Sequence, residues 1–219
     1  MDDFNNIVET ISLSMGAAWG SGINLYATIL VLGLLGMTDN IVLPQGLEIL
    51  MNPMVIGAAG LMYFVEFFAD KIPGVDTGWD TLHTFVRIPA GVLLAAGAVG
   101  DVNPAMAVAA GILGGGLATT THAAKSGSRL MINASPEPVS NWIASLLEDI
   151  AVITGVWAAL IHPWVFIIIL ILFIFLMIWF LPKLWEAIKK FFAFLGRIFS
   201  GDKRPVLNES KTSNSGEQK

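Results

Sequence analysis

The sequence predicts an all-α fold: a polytopic transmembrane helical bundle of about six spans, one of them broken, followed by a C-terminal amphipathic helix at the membrane interface. Three observations carry this. The 219 residues are 55% hydrophobic and 13% charged, with a mean hydropathy of +0.71, whereas a soluble domain has about 25% charged residues. Six stretches approach the roughly 20 apolar residues that cross a bilayer. Two of them carry ionisable residues at one spacing, Asp80-x-x-His83-x-x-x-Arg87 and His122-x-x-Lys125-x-x-x-Arg129. Positions i, i+3 and i+7 share a helix face. Charge at bilayer depth is costly and faces a protein interior or a wet cavity, so these stripes predict a polar interior.

The first stretch, Ile7 to Met37, is too long for one straight span. Gly16, Gly20, Ser21, Gly22 and Asn24 interrupt it and predict a kink or break. The second runs from Pro53 to Asp70. The third runs from Trp79 to Val99, with Pro89 just beyond Arg87. The fourth runs from Pro104 to Ile132 and contains Gly114-Gly115-Gly116. The fifth runs from Val139 to Ile161, and the sixth, Trp164 to Leu181, has no ionisable side chain. Residues 1–182 therefore form the bundle. In residues 183–200, Trp185, Ile188, Phe192, Leu195 and Phe199 share one face, and Lys183, Lys190 and Arg197 share another. That is an interfacial helix turned toward anionic lipid. Residues 201–219 are polar and aperiodic, which predicts a disordered tail.

Topology follows from charge. Through Pro182 four bases stand against thirteen acids, a balance of −9; beyond it eight bases stand against four acids, a balance of +4. A basic tail on the cytoplasmic side, with six spans, places both termini in the cytoplasm and every Lys and Arg on that side. The acidic start, Asp2 and Asp3, lacks the basic region of a signal peptide, so the first apolar segment is expected to remain. With no cysteine, disulfides, thiolate nucleophiles and Cys-based metal sites are excluded. No folded soluble module exists to bind nucleic acid. Asp70, Pro73 and Trp79 recur 63 residues on as Asn133, Pro136 and Trp142. This is either a two-helix repeat or the preference of Pro and Trp for membrane edges.

Given this topology, Glu66, Asp70, Asp80, His83, Arg87, Lys125, Arg129, Glu148 and Asp149 fall in one layer of the inner half of the membrane. Two readings compete. In one, a vestibule open to the cytoplasm holds an anionic or zwitterionic solute on Arg87, Lys125 and Arg129, with His83 and His122 relaying protons. In the other, the charges are a salt-bridge lattice tying spans two to five together. Arg87, His122 and Lys125, lying deepest, fit the first; Lys71, Asp70 and Arg129 fit the second. Glu148 and Asp149 are about 100° apart on a helix, so only one is expected to face the centre. Gly22 and Asn24 are candidate solute ligands, because an unwound helix survives in a membrane only where protein or water satisfies its backbone. Close packing through Gly16-x-x-x-Gly20 is the competing explanation. The Asp70–Asp80 loop offers carboxylates to a divalent cation but reads better as a capped turn. Gly20-Ser21-Gly22 and Ser126-Gly127-Ser128 lack the setting of a hydrolase elbow.

The stretches Gly22-Ile23-Asn24-Leu25-Tyr26-Ala27, Phe68-Ala69-Asp70-Lys71-Ile72-Pro73-Gly74-Val75-Asp76 with Arg87-Ile88-Pro89-Ala90-Gly91, and Thr121-His122-Ala123-Ala124-Lys125-Ser126-Gly127-Ser128-Arg129 through Ser135-Pro136-Glu137-Pro138 resemble a bacterial membrane family known as domain of unknown function 4126. The likeness covers about Met15 to Ile161. It implies a bacterial inner-membrane protein and brings no activity, substrate or cofactor.

The expectation is thus a transporter or channel for a small solute or ion, with no cofactor and no phosphate-binding loop for ATP. Its site would be Gly22, Asn24, Asp80, His83, Arg87, His122, Lys125, Arg129 and Glu148. Neutralising Lys125 should then abolish transport with folding intact. A lipid-binding scaffold is the alternative and a membrane-embedded lipid hydrolase the third; a homo-oligomer stays open.

Overall fold

The computed structural model describes residues 2–99, 103–134 and 138–199, so the expected tail at 201–219 and Pro136 lie outside the described residues. Helices follow chain order: α1 (Asp2–Met37), a 3₁₀ turn (Gln45–Met51), α2 (Pro53–Ala69), α3 (Val75–Val99), α4 (Pro104–Asn133), α5 (Pro138–Ile161) and α6 (Pro163–Phe199). Five are long and apolar enough to cross a membrane; the 3₁₀ turn and α2, bent by 68°, make a sixth if counted together. Pro53 and Pro104 occupy the first turn of their helices, where a missing N–H costs nothing. Asn52 and Asn103 cap those helices by accepting from Met54 N and Ala105 N, each at 2.8 Å.

α1 is two helices meeting at Asn24, whose backbone is extended (φ −145°, ψ 99°). Asn24 Oδ1 accepts from Ala27 N at 2.9 Å, so Asn24 is the N-cap of the second half. The chain also turns back. Thr28 packs beside Gly20, although eight residues of straight helix would separate them by about 12 Å. The two arms reach the same end of the bundle. On the first arm, Phe4 lies 5.5 Å from Trp164 and Ser12 donates to Ala159 O at 2.8 Å. On the second, Gly36 lies against Leu43 and Met51, just past the end of α1. The tip, Gly22 to Asn24, points into the middle of the bundle against α4.

This corrects the expected topology. The beginning of α1 lies at the end that holds Asn40, Val99 and Ile161, not at the end that holds Lys71, Asp76 and Asn133. Residues 184–188 of α6 lie beside Gly127, toward the latter end. The two ends of the described chain are therefore on opposite sides of the bundle. Counting every apolar stretch as a crossing put them together, and a re-entrant hairpin does not cross.

The amphipathic segment is not a separate helix, because α6 runs unbroken through Pro182. Pro182 removes one backbone donor, but Leu184 and Ile188 pack on Gly127 of α4 and hold the helix in line. At 37 residues α6 is about 55 Å long and outreaches a hydrocarbon core of about 30 Å. Trp185 and Phe192 stay exposed.

Small residues set the helix spacings. Gly91 of α3 faces Ala118, and Gly114 and Gly115 of α4 face Ala95 and Val92, so α3 and α4 approach closely. Gly16 and Gly20 meet Ala159 and Val156 of α5. Gly16-x-x-x-Gly20 therefore packs, and the helix breaks four residues later, at Asn24. α3 starts at Val75 rather than Trp79, because Asp76 anchors its first turn. Asp76 Oδ1 accepts from Gly74 N at 2.9 Å, and both carboxylate oxygens accept from Asn133 Nδ2 at 2.8 Å. Gly74, at φ +87°, makes the turn before it. The carboxylate of this loop is thus a cap that ties α3 to the end of α4.

Candidate functional site

Four helices bring their ionisable residues to the tip of α1. Arg87 of α3 is fully buried between Glu66 of α2 (2.5 Å) and Asp80 of its own helix (2.8 Å). One turn apart on α4, Lys125 and Arg129 continue the network. Lys125 Nζ lies 2.9 Å from Asp70, 3.5 Å from Glu66, 3.6 Å from Asp80 and 3.7 Å from Glu148. It also donates at 3.1 Å to the Ile23 carbonyl, at the end of the first arm of α1. Arg129 grips Glu148 of α5 with two N–H groups, at 3.1 and 2.6 Å, and donates to the backbone carbonyl of Asn141 (2.9 Å) and to its side chain.

The broken helix is matched to these charges. The carbonyl end of its first arm meets the Lys125 ammonium. The amide end of its second arm lies beside Asp149, which accepts from Asn24 Nδ2 at 3.0 Å. Each helix terminus thereby faces the charge its dipole favours. Glu148 and Asp149 both take part, contrary to the expectation that one would face away. α5 sits between α4 and α1, so residues 100° apart reach different neighbours.

The histidines stand at the edge. A guanidinium can only donate, so His122 Nδ1, 3.3 Å from Arg87, accepts. Its Nε2–H then donates to Thr84 Oγ1 at 2.7 Å, and that hydroxyl donates to the Asp80 carbonyl at 3.0 Å. His83 is held outside the ion network, with Nδ1–H donating to Trp79 O (2.9 Å) and Nε2 accepting from Tyr26 Oη (3.0 Å). Lys71, in the turn after α2, donates to Phe67 O and lies 3.0 Å over the Phe67 ring. Burial pushes its pKa below the ordinary lysine value, against the pull of Asp149 and Asp70.

Apart from His83, the expected layer is therefore one connected network. It holds Asn24, Asp80, Arg87, His122, Lys125, Arg129 and Glu148, with Gly22 forming the close contact that seats the tip on α4. Arg129 is as deeply buried as Arg87, so the expected division between structural and solute-binding bases is not what the geometry gives. Nor are the bases open to a solute: each is engaged by carboxylates. The residues missed were Asn141, Ser145 and Thr84. The first two form a stripe with Asp149 at i, i+4 and i+8, buried to 1%, 1% and 5% exposure. A search for polar rather than only ionisable stripes finds it. The hydroxyls of Ser21, Ser126 and Ser128 donate to carbonyls of their own helices, away from any histidine nitrogen.

Compared with known proteins, residues 11–183 match the sequence profile of a family described as Domain of unknown function (DUF4126). No curated protein and no solved structure matches the chain.

Proposed function

This chain belongs to the DUF4126 family, a domain of unknown function, and we propose that it moves a small solute or ion across a membrane without ATP. One observation carries the reading: a re-entrant helix breaks at Asn24, and its two half-helix ends meet a buried network of opposite charges. Irregular backbone at membrane depth is confined to protein interiors and permeation paths. Half-helix termini beside buried charge are a recurrent way of building an ion or solute site. The site is centred on Gly22, Asn24, Lys125 and Asp149, framed by Asp80, Arg87, His122, Arg129 and Glu148. Its basic end faces the cytoplasm of a bacterial inner membrane, with residues 183–199 against anionic headgroups.

The second reading, a non-transporting scaffold, is favoured by the engagement of all three bases in the network by carboxylates. Flux decides between them. In proteoliposomes carrying the purified protein, a panel of inorganic ions and small solutes is expected to give protein-dependent uptake. Asn24→Ala, which removes the cap and the tie to Asp149, is expected to cut it at least about tenfold while costing only about 1–2 kcal/mol of stability. Uptake unchanged by Asn24→Ala removes the site. No protein-dependent uptake of any solute leaves the scaffold.

A further inference from the structure

The residues left unpaired in this network say which sign of charge it takes. Within the layer, the carboxylates are Glu66, Asp70, Asp80, Glu148 and Asp149, and the bases are Lys71, Arg87, Lys125 and Arg129. Five carboxylates thus face four bases, and Asp76, fully buried at the start of α3, adds a sixth carboxylate at the same end, so negative charge is in excess among the described residues. Hydrogen bonding points the same way. Among the described residues Glu66 Oε2, Asp70 Oδ1, Asp80 Oδ2, Asn133 Oδ1 and Asp149 Oδ2 are buried without a partner, against two unpartnered donors, Trp79 Nε1 and Arg87 Nε. Buried polar atoms are nearly always satisfied, and an orphan calls for a ligand or other explanation. An anion would meet bases already engaged and a surplus of its own charge. A cation would meet free oxygens and balance the site.

Asp149 is the oxygen donor best placed for it. The residue is 5% exposed and its carboxylate touches the tip of α1, with Oδ1 accepting from Asn24 and Oδ2 left free. Facing it are Asn24 on α1, Tyr63 on α2, Asp70 and Lys71 just after α2, and Lys125 on α4. Among the described residues no group of three or more carboxylates or imidazoles is arranged to chelate a metal, so the site lacks the several carboxylates a divalent ion takes and suits a monovalent one. A cleft of about 490 Å³ opens at the opposite end, between the first arm of α1, the loop at 40–44 and the ends of α3 and α5, with Glu9 its single ionisable lining residue. Val152 and Val156, about one and two turns beyond Asp149 on α5, pack with Leu94 in the buried apolar core.

We propose that the unpartnered oxygen of Asp149, at the tip of the re-entrant helix, binds a small monovalent cation, sodium or potassium. This rests on the transport reading only for what the ion is used for, so binding and flux are measured apart. The melting temperature of the purified protein in detergent is titrated with sodium chloride, potassium chloride, sodium gluconate and choline chloride at constant ionic strength. A saturable rise is expected with sodium or potassium, equal for chloride and gluconate and absent for choline. In Asp149→Asn the half-saturating concentration should rise at least about tenfold. Should that variant not fold, sodium-23 line broadening on the unmodified protein, competed by potassium, reads the same site. A rise that follows the anion, or persists in Asp149→Asn, overturns the proposal. So does stability that changes with pH in choline but with neither alkali ion, which would put a proton at Asp149 instead. Cation binding without flux leaves this inference and removes transport. Anion flux without cation binding does the reverse.

Discussion

Replacing Arg87 by methionine is expected to destabilise the protein by about 3–5 kcal/mol, the cost of stranding buried charge by removing one partner of a buried pair. Arg87 is fully buried, and its guanidinium is the nearest base to both Glu66 and Asp80. Without it, two carboxylates share Lys125, which already answers to Asp70 and Glu148. His122 would also lose the donor that fixes its tautomer. Arg87→Lys keeps the charge but not the fork that reaches both carboxylates, so an intermediate loss is expected. Chemical or thermal denaturation in detergent measures the series; Arg87→Met at wild-type stability would mean the lattice is not what holds α2 and α3 together. The same reasoning revises the sequence expectation for Lys125. Lys125→Met removes a base surrounded by four carboxylates, so it should weaken the fold as well as any transport.

Gly22→Ala is expected to cost about 1–3 kcal/mol, the usual penalty for overpacking, and to abolish flux. A methyl group there would lie 2.5 Å from the Ala118 carbonyl oxygen and 3.0 Å from its Cα, as well as striking the Thr121 side chain. Backbone cannot rotate away, so the tip of α1 must lift from α4. The Lys125 bond to the Ile23 carbonyl goes with it. Gly116→Ala on α4 is the control: nothing lies within 4 Å of a methyl group at that position. There the gain in helix propensity should leave stability unchanged or raise it by about 0.5–1 kcal/mol. Equal losses in the two variants would contradict the close seating of the tip.

Much of this was legible in the chain. The polar trios on α3 and α4 fall on buried faces, because a helix in lipid has only one place for Asp80, Arg87, Lys125 and Arg129. The break at Asn24 was legible from its glycines and from an N-cap residue inside an apolar run. Its direction was not. A kinked span and a hairpin that turns back have the same length and hydropathy, and α1 carries no Lys or Arg to report which side its beginning occupies. Only the contacts of Phe4 with Trp164 and Thr28 with Gly20 distinguish them. The continuity of α6 was hidden for a related reason: Pro182 signals a helix end locally, and packing on Gly127 overrides it. In one of its two readings the sequence also marked Arg87, Lys125 and Arg129 as holding an anionic or zwitterionic solute, because it counts charges without pairing them. Paired in three dimensions, they leave free carboxylate oxygens instead.

The central claim is that α1 enters the bundle, turns at Asn24 and leaves by the same side. The chain contains no cysteine, so single cysteines placed at Asn5, Val42 and Ser140, all exposed, can be labelled in oriented membranes with an impermeant thiol reagent. Asn5→Cys and Val42→Cys should react from one side and Ser140→Cys from the other. Asn5→Cys reacting from the side of Ser140→Cys would make α1 an ordinary crossing and remove the re-entrant tip on which the site depends.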